Sequence, residues 1–137
     1  MLRFMLDTDI CSYILKRSND IVLLRLRRVP IDEVCISVIT KAELLLGVEL
    51  SPRRGQDAVA VAEFLRQLVV LDLPEGAAAH YAEIGAGVSR RGEMIGANDL
   101  FIAAHARCLG LRLVTNNIRE FARIPQLSLE NWAAPDG

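Results

Sequence analysis

Short apolar runs alternate along the chain with longer segments whose apolar residues recur at helical spacing. The first run is Arg3-Phe4-Met5-Leu6, which reads as a strand. It ends in Asp7-Thr8-Asp9, and the apolar stretch at residues 10–15 opens a helix. Ser18-Asn19-Asp20 carries the polar signature of a helix start, and Pro30 stops the helix that follows. Val22, Leu23, Leu26 and Val29 lie on its apolar face. Val34-Cys35-Ile36 reads as a second strand, after which Ser37 caps a long helix to about residue 50. A loop at residues 51–55 leads to an amphipathic helix at residues 56–68, with Val59, Ala62, Phe64, Leu65 and Leu68 as core candidates.

Val69-Val70-Leu71 is a third strand. Pro74 suits the start of the Ala-rich helix that runs to Arg91, and Gly92 ends it. Gly96-Ala97-Asn98-Asp99 precedes an apolar helix at residues 100–109, closed by Gly110. Residues 111–115 form a fourth strand, Asn116-Asn117 a turn, residues 118–121 a turn of helix, and residues 127–129 a last edge strand. Residues 135–137 read as a frayed end. Strands alternating with helices predict an α/β fold. The expected architecture is one domain over residues 1–137, with a central, mainly parallel sheet of four to five short strands and helices on both faces. Its crossovers should be right-handed.

Composition narrows the class. Hydrophobic residues at 52% and charged ones at 24% provide a core and exclude a disordered chain. No apolar run reaches the roughly 20 residues of a membrane span. The N-terminus lacks the basic start, apolar stretch and cleavage site of a signal peptide, so a cytoplasmic protein is expected. Cys11, Cys35 and Cys108 are widely spaced in apolar stretches and read as reduced core thiols. With only His80 and His105 as histidines, zinc-site spacing is absent. A net charge of -1 does not mark a nucleic-acid binder by itself. Nearly all the bases are arginines, however, and arginine pairs bidentately with phosphate. The local clusters Arg25-Leu26-Arg27-Arg28, Arg53-Arg54 and Arg90-Arg91 are either solvated helix ends or phosphate contacts.

Three acids carry the chemistry. A strand running into Asp7 delivers that carboxylate to the carboxyl edge of the sheet, where open α/β sheets bind ligands. Asp7 can cap the next helix there, or hold a cation or phosphate. Glu43 shares a helix face with Ile39, Leu46 and Gly47, and Asp99 with Ile102, Ala103 and Ala106. An ionised carboxylate among apolar neighbours needs a partner. For Asp99 the helix N-terminus offers one; Glu43 lies too deep in its helix for that. All three acids follow a strand or open a helix near one sheet edge, and Asn116 and Asn117 come to that edge after the fourth strand. Acids so crowded repel and raise one another's pKa. A hard divalent cation such as Mg²⁺ or Mn²⁺ would relieve the repulsion and suit phosphodiester hydrolysis.

With these motifs in place, the chain resembles PIN-domain ribonucleases, and specifically the VapC toxins of bacterial VapBC toxin–antitoxin pairs. The resemblance rests on FMLDTDICSYILK, ISVITKAELLLG and GANDLFIAAHARCLGLRLVTNNIREFARIPQLSLENW, and covers essentially the whole chain. It implies a PIN-like fold with catalytic, metal-binding acids at Asp7, Glu43 and Asp99. Many PIN domains carry a fourth acid after the last core strand; Asn117 stands there in VTNN and supplies less charge, with Glu120 near enough in sequence to substitute. The family commonly has Asp-Thr-Asn after the first strand, where this chain has Asp9 as a cap or an additional acid.

The resemblance also implies the toxin of a type II pair: a Mg²⁺-dependent endoribonuclease, with Mn²⁺ as substitute, that cleaves a structured translational RNA. In close relatives the target is initiator tRNA in the anticodon region, and in others a ribosomal RNA loop. It implies a homodimer and a VapB antitoxin whose tail crosses the acidic groove, in a higher assembly and with no membrane. Aromatics at 5% leave few stacking platforms, so the arginines are the better backbone contacts. Two other readings compete. One is a PIN-fold binding module without catalysis. The other is a haloacid-dehalogenase-like phosphatase with Asp7 as nucleophile, which lacks the acidic pair that class needs after Thr115.

Overall fold

The structure is a computed structural model that describes residues 1–135. The last two residues of the expected frayed end therefore lie outside the described residues. Five strands, β1 (Phe4–Leu6), β2 (Val34–Ser37), β3 (Val69–Leu71), β4 (Arg112–Val114) and β5 (Leu129–Glu130), form one sheet in the order β3-β2-β1-β4-β5. Every pairing is parallel. The last strand lies two residues later than the pattern predicts, because Leu129 and Glu130 are the residues in register with Leu113 and Val114.

Seven helices connect the strands: α1 (Thr8–Lys16), α2 (Asp20–Arg28), α3 (Val38–Leu50), α4 (Arg54–Gln67), α5 (Ala77–Arg90), α6 (Ala97–Leu109) and α7 (Ile118–Phe121). Alternation along each strand divides the core into two layers. Phe4, Leu6, Val34, Ile36 and Val114 face one way, onto Ile10 and Cys11 of α1, Val22 of α2, Leu44 and Val48 of α3, and Val61 and Phe64 of α4. Met5, Cys35 and Leu113 face the other, onto Ile84 and Val88 of α5, Leu100, Ile102, Ala103, Ala104 and Ala106 of α6, and Phe121 of α7. A buried parallel sheet with helices on both faces is what near-continuous apolar strands require.

Helix boundaries follow local chemistry. Asn19 caps α2, its side-chain oxygen accepting from the Ile21 and Val22 amides at 3.0 and 3.1 Å. Ser37 caps α3 by accepting from the Ile39 amide at 3.1 Å. Gly110 ends α6 at φ +67°, in the left-handed region that glycine enters without steric cost. Asn19→Ala is expected to destabilise the fold by about 1 kcal/mol, measured by urea denaturation; no change would mean that solvent satisfies those two amides equally well.

Some sequence expectations are corrected. Val59 is 72% exposed and Ala62 is also on the surface; Val61 and Phe64 are the buried residues of α4. Helix α4 begins at Arg54, inside the expected loop, and the expected Leu65 and Leu68 pack against the core beside Phe64. Pro74 sits in a turn ahead of α5, its carbonyl accepting from the Ala77 amide at 3.0 Å. Helix α6 starts at Ala97, so Asp99 belongs to its first turn. Cys11 and Cys35 are buried free thiols as expected, while Cys108 is half-buried.

Candidate active site

Chain order reverses at β1. From it the chain steps to β2 and β3 on one side, and later to β4 and β5 on the other. A crevice opens beyond the carboxyl ends of β1 and β4, the switch point at which open α/β sheets bind ligands. Asp7 is the first residue after β1, and Thr115 the first after β4.

Asp7 is 4% exposed and both its oxygens are held. Oδ1 accepts from the Thr8 amide at 2.8 Å, which makes Asp7 the N-cap of α1, and Oδ2 accepts from the Thr115 hydroxyl at 2.8 Å. Asp7 therefore caps α1 with one oxygen while the other ties it to the start of the loop after β4. Asp9 is not the cap. Its Oδ1 accepts from the Ile10 amide at 2.7 Å, and its Oδ2 from the Asn116 amide at 3.0 Å, which ties the loop after β4 to α1. Asp9 therefore stands beside Asp7 as a second carboxylate at the crevice.

Glu43 lies on α3, where Thr40, Leu44 and Val48 form the buried stripe. The apolar face expected to hold Glu43 is instead outward: Leu46 is 57% exposed and Gly47 also faces solvent. Glu43 sits half-buried at the border and is oriented by the Thr8 hydroxyl, which donates to Oε1 at 2.6 Å. The Thr8 and Thr40 hydroxyl oxygens lie 3.1 Å apart, so two threonines link α1 to α3 beneath that carboxylate. Asp99 behaves as its spacing predicts: Ile102, Ala103 and Ala106 on its face are fully buried. Asn117 donates through its side-chain amide to Glu120, and its backbone amide donates to the Thr115 hydroxyl at 3.0 Å.

The electrostatics show that these acids act on one another. Asp7 has its pKa raised to about 7, first by burial and then by the charge of Asp9, against the lowering effect of its Thr115 and Thr8 hydrogen bonds; Asp99 adds to the rise. Asp99 is raised to about 6 by burial, by the charge of Glu120 and a hydrogen bond with it, and by Glu43 and Asp9. Asp9 is also raised, chiefly by burial. Beneath them the Cys11 thiol is held protonated by burial and by the negative charges of Asp7, Asp9 and Glu43.

The donor set is made of hard oxygen ligands, the kind that Mg²⁺ and Mn²⁺ prefer. Among the described residues no three Asp, Glu, His or Cys side chains stand close enough to enclose an ion unaided.

Sequence reading missed the threonines. Thr8 and Thr115 orient the carboxylates and Thr40 meets the Thr8 hydroxyl, and all three lay in the motifs themselves: in the centre of Asp-Thr-Asp, in ISVITKAELLLG and after Val114. It also missed His105, which is fully buried with Nδ1 2.8 Å from the Ser37 hydroxyl, under the start of α3. Its Nε2 has no hydrogen-bond partner among the described residues, and burial lowers its pKa. The arginine clusters divide. Arg25 donates to the Asn131 and Ala134 carbonyls, Arg54 pairs with Glu49, and Arg91 pairs with Glu93 and the Arg123 carbonyl. These serve the fold rather than the site.

Residues 4–127 match the PIN domain family, so the fold is that of a PIN domain. Ribonuclease VapC2 of Haemophilus influenzae is 44% identical over 132 residues, which covers 96% of this chain and 99% of that protein. The tRNA(fMet)-specific endonuclease VapC of Salmonella typhimurium is 40% identical over the same shares. Among solved structures, DNA-bound VapBC from Salmonella typhimurium superposes with a TM-score of 0.91 at 40% identity, over 96% of this chain and 99% of that one. VapBC2 from Rickettsia felis, bound to a promoter DNA fragment, gives 0.88 at 37% identity over the same shares. The chain belongs to the VapC family of PIN-domain ribonucleases. The match to PIN domains sets aside the haloacid-dehalogenase-like phosphatase.

Asn117 marks the departure from a four-acid site. Asn117→Asp is expected to lower the melting temperature of the metal-free protein, because the new carboxylate would face Glu120. With Mg²⁺ present the same variant should melt at or above the wild type. A loss of stability that the cation does not recover would place residue 117 outside the cation's reach.

Proposed function

We propose that the chain is the toxin of a VapBC pair and a Mg²⁺-dependent endoribonuclease whose target is initiator tRNA in the anticodon region. The observation that carries the chemistry is the state of Asp7: buried at the switch point, held at both oxygens, and raised to about 7 by burial and by neighbouring acids. A carboxyl group so placed favours a proton or a cation over standing alone. Asp7, Asp99 and Glu43 would hold Mg²⁺ or Mn²⁺, with Asn117 and Glu120 beside them. Once bound, the cation supplies positive charge that acidifies a water and offsets charge on the scissile phosphate.

The chain's own residues fix the remainder. Thr115 and the Thr8 amide hold the Asp7 carboxylate in one orientation, and the Thr8 hydroxyl does the same for Glu43. Asp9 fixes the loop that carries Asn116 and Asn117, so the neutral side of the site keeps its place. Pre-orientation of this kind spares the site reorganisation as charge develops on the phosphate.

The target and partner are supported by relatives. Two similar proteins, at 40% and 39% identity, are named tRNA(fMet)-specific endonucleases. Similar solved structures are VapBC complexes, two of them bound to DNA, which supports a VapB antitoxin as partner. The assembly we infer is a homodimer that joins its antitoxin in a larger complex. Among the described residues no helix is long and apolar enough to cross a membrane, in keeping with the cytoplasmic location we infer.

Purified initiator tRNA, an elongator tRNA and ribosomal RNA, each incubated with the protein and Mg²⁺, test the target. Cleavage of the initiator tRNA alone, within the anticodon arm, is the expected result. Preferential cleavage of ribosomal RNA would replace the target and leave the chemistry standing.

A further inference from the structure

Beside the carboxylates lies a groove of about 580 Å³ between α1, α3 and α4 that the site as described does not use. Thr8 and Glu43 form its inner end, so it opens directly from the active site. Lys16, from the end of α1, and Arg53, just before α4, line it farther out. Both are exposed, and neither has a hydrogen-bond or ion-pair partner for its charged group among the described residues. Other arginines of this chain, among them Arg54, Arg66, Arg91 and Arg107, hold carboxylates. Besides Glu43, the lining holds one acid, Asp57, which accepts from the Ser51 hydroxyl at 2.5 Å. The floor is open at Gly47, where a Cβ would meet nothing within 4 Å.

We propose that this groove is a backbone track for the RNA strand on one side of the scissile phosphate, with Lys16 and Arg53 as its phosphate contacts. The proposal rests on the nuclease reading above. Its logic is charge: an acidic centre repels a polyanion, so a strand that must lie across it needs cations close by on the way in. Two unpaired cations leading to Glu43 meet that need, and phosphate contacts of this kind set register without reading sequence. A peptide is the other occupant of comparable shape. It would have to bring acidic side chains to both cations, whereas every nucleotide brings a negative charge.

The test compares wild type with Lys16→Glu, Arg53→Glu and the double variant, and with Arg54→Ala as control. Arg54 neighbours Arg53 in sequence but pairs with Glu49 and is not part of the lining. Cleavage of bulk bacterial tRNA should show KM raised about tenfold or more in the double variant with kcat nearly unchanged, and Arg54→Ala at the wild-type value. Binding to the same tRNA, measured in the Asp7→Asn background to prevent cleavage, should lose salt dependence by a slope of about 0.7 per lost contact. Unchanged KM and salt slope in the double variant, with wild-type cleavage intact, would overturn the track alone. Unchanged KM with lost inhibition by the antitoxin would assign the groove to a peptide instead. A wild-type protein that cleaves nothing would overturn the nuclease reading and this proposal with it.

Discussion

Asp7→Asn is expected to abolish RNA cleavage and, at the same time, to make the metal-free protein more stable. The activity loss follows from removing the most deeply buried charge at the switch point. Metal-assisted hydrolysis draws several kcal/mol from such a centre, so a loss of about a thousandfold or more is expected at about 1.4 kcal/mol per decade. The stability gain has a separate cause. Asn is nearly isosteric, and its carbonyl can accept the Thr8 amide as Oδ1 does at 2.8 Å. The Thr115 hydroxyl can turn its proton toward Asp9 Oδ2, 3.5 Å away, and accept from the new amide. What disappears is a buried negative charge beside Asp9. At pH 8 without metal the melting temperature should rise by several degrees, about 1–2 kcal/mol by the usual scaling. A variant that is inactive because it is less stable would contradict this account.

The second large effect is a coupling between pH and Mg²⁺. The shifts of Asp7 to about 7 and Asp99 to about 6 are both upward. Between the unfolded carboxylate value of about 4 and these folded values, the folded chain holds protons that the unfolded chain has lost. Stability contributed by these groups is therefore full below about pH 4, falls as pH rises through that window, and levels off above about 7. For Asp7 the change amounts to a few kcal/mol at about 1.4 kcal/mol per pKa unit; half-exposed Asp99 adds less because solvent screens it. His105, with its lowered pKa, contributes the opposite slope in part of the same range. The difference between wild type and Asp7→Asn separates the two, and it should be larger at pH 8 than at pH 5. Mg²⁺ should likewise raise the wild-type melting temperature more at pH 8 than at pH 5, because at pH 5 it competes with bound protons. Equal Mg²⁺ shifts at both values would mean that the cation does not bind at these carboxylates.

Much of this was readable from residue order. Strand and helix positions followed from apolar runs bounded by polar caps, and Asp7 and Asp99 were marked by position and by neighbours that proved buried. Glu43 was singled out on a partly wrong face: its helix buries Thr40, Leu44 and Val48, one step round from the stripe that spacing suggested. Helical periodicity cannot distinguish these two stripes when apolar residues lie on every side of the segment from Val38 to Leu50. Contacts between distant segments were not legible. The link from Thr8 to Glu43 spans 35 positions and that from Thr115 to Asp7 spans 108, and only strand order brings them together. The arginine clusters were only partly legible for a related reason. Composition reveals a surplus of guanidinium groups, but which of them are already held by Glu49, Glu93 or backbone carbonyls is decided by folding.

The central claim is that the carboxylates at the β1–β4 switch point form a cation-dependent RNA-cleaving centre. The most direct measurement mixes purified, antitoxin-free protein with total bacterial RNA and maps new 5′ ends in Mg²⁺, in EDTA, and with Asp7→Asn in Mg²⁺. Discrete cuts in one RNA, absent from both controls, are the expected result. Cuts that survive EDTA or the Asp7→Asn substitution, or no cuts from a folded protein that binds Mg²⁺, would contradict the claim, and the last of these would leave a PIN fold that binds partners without cleaving.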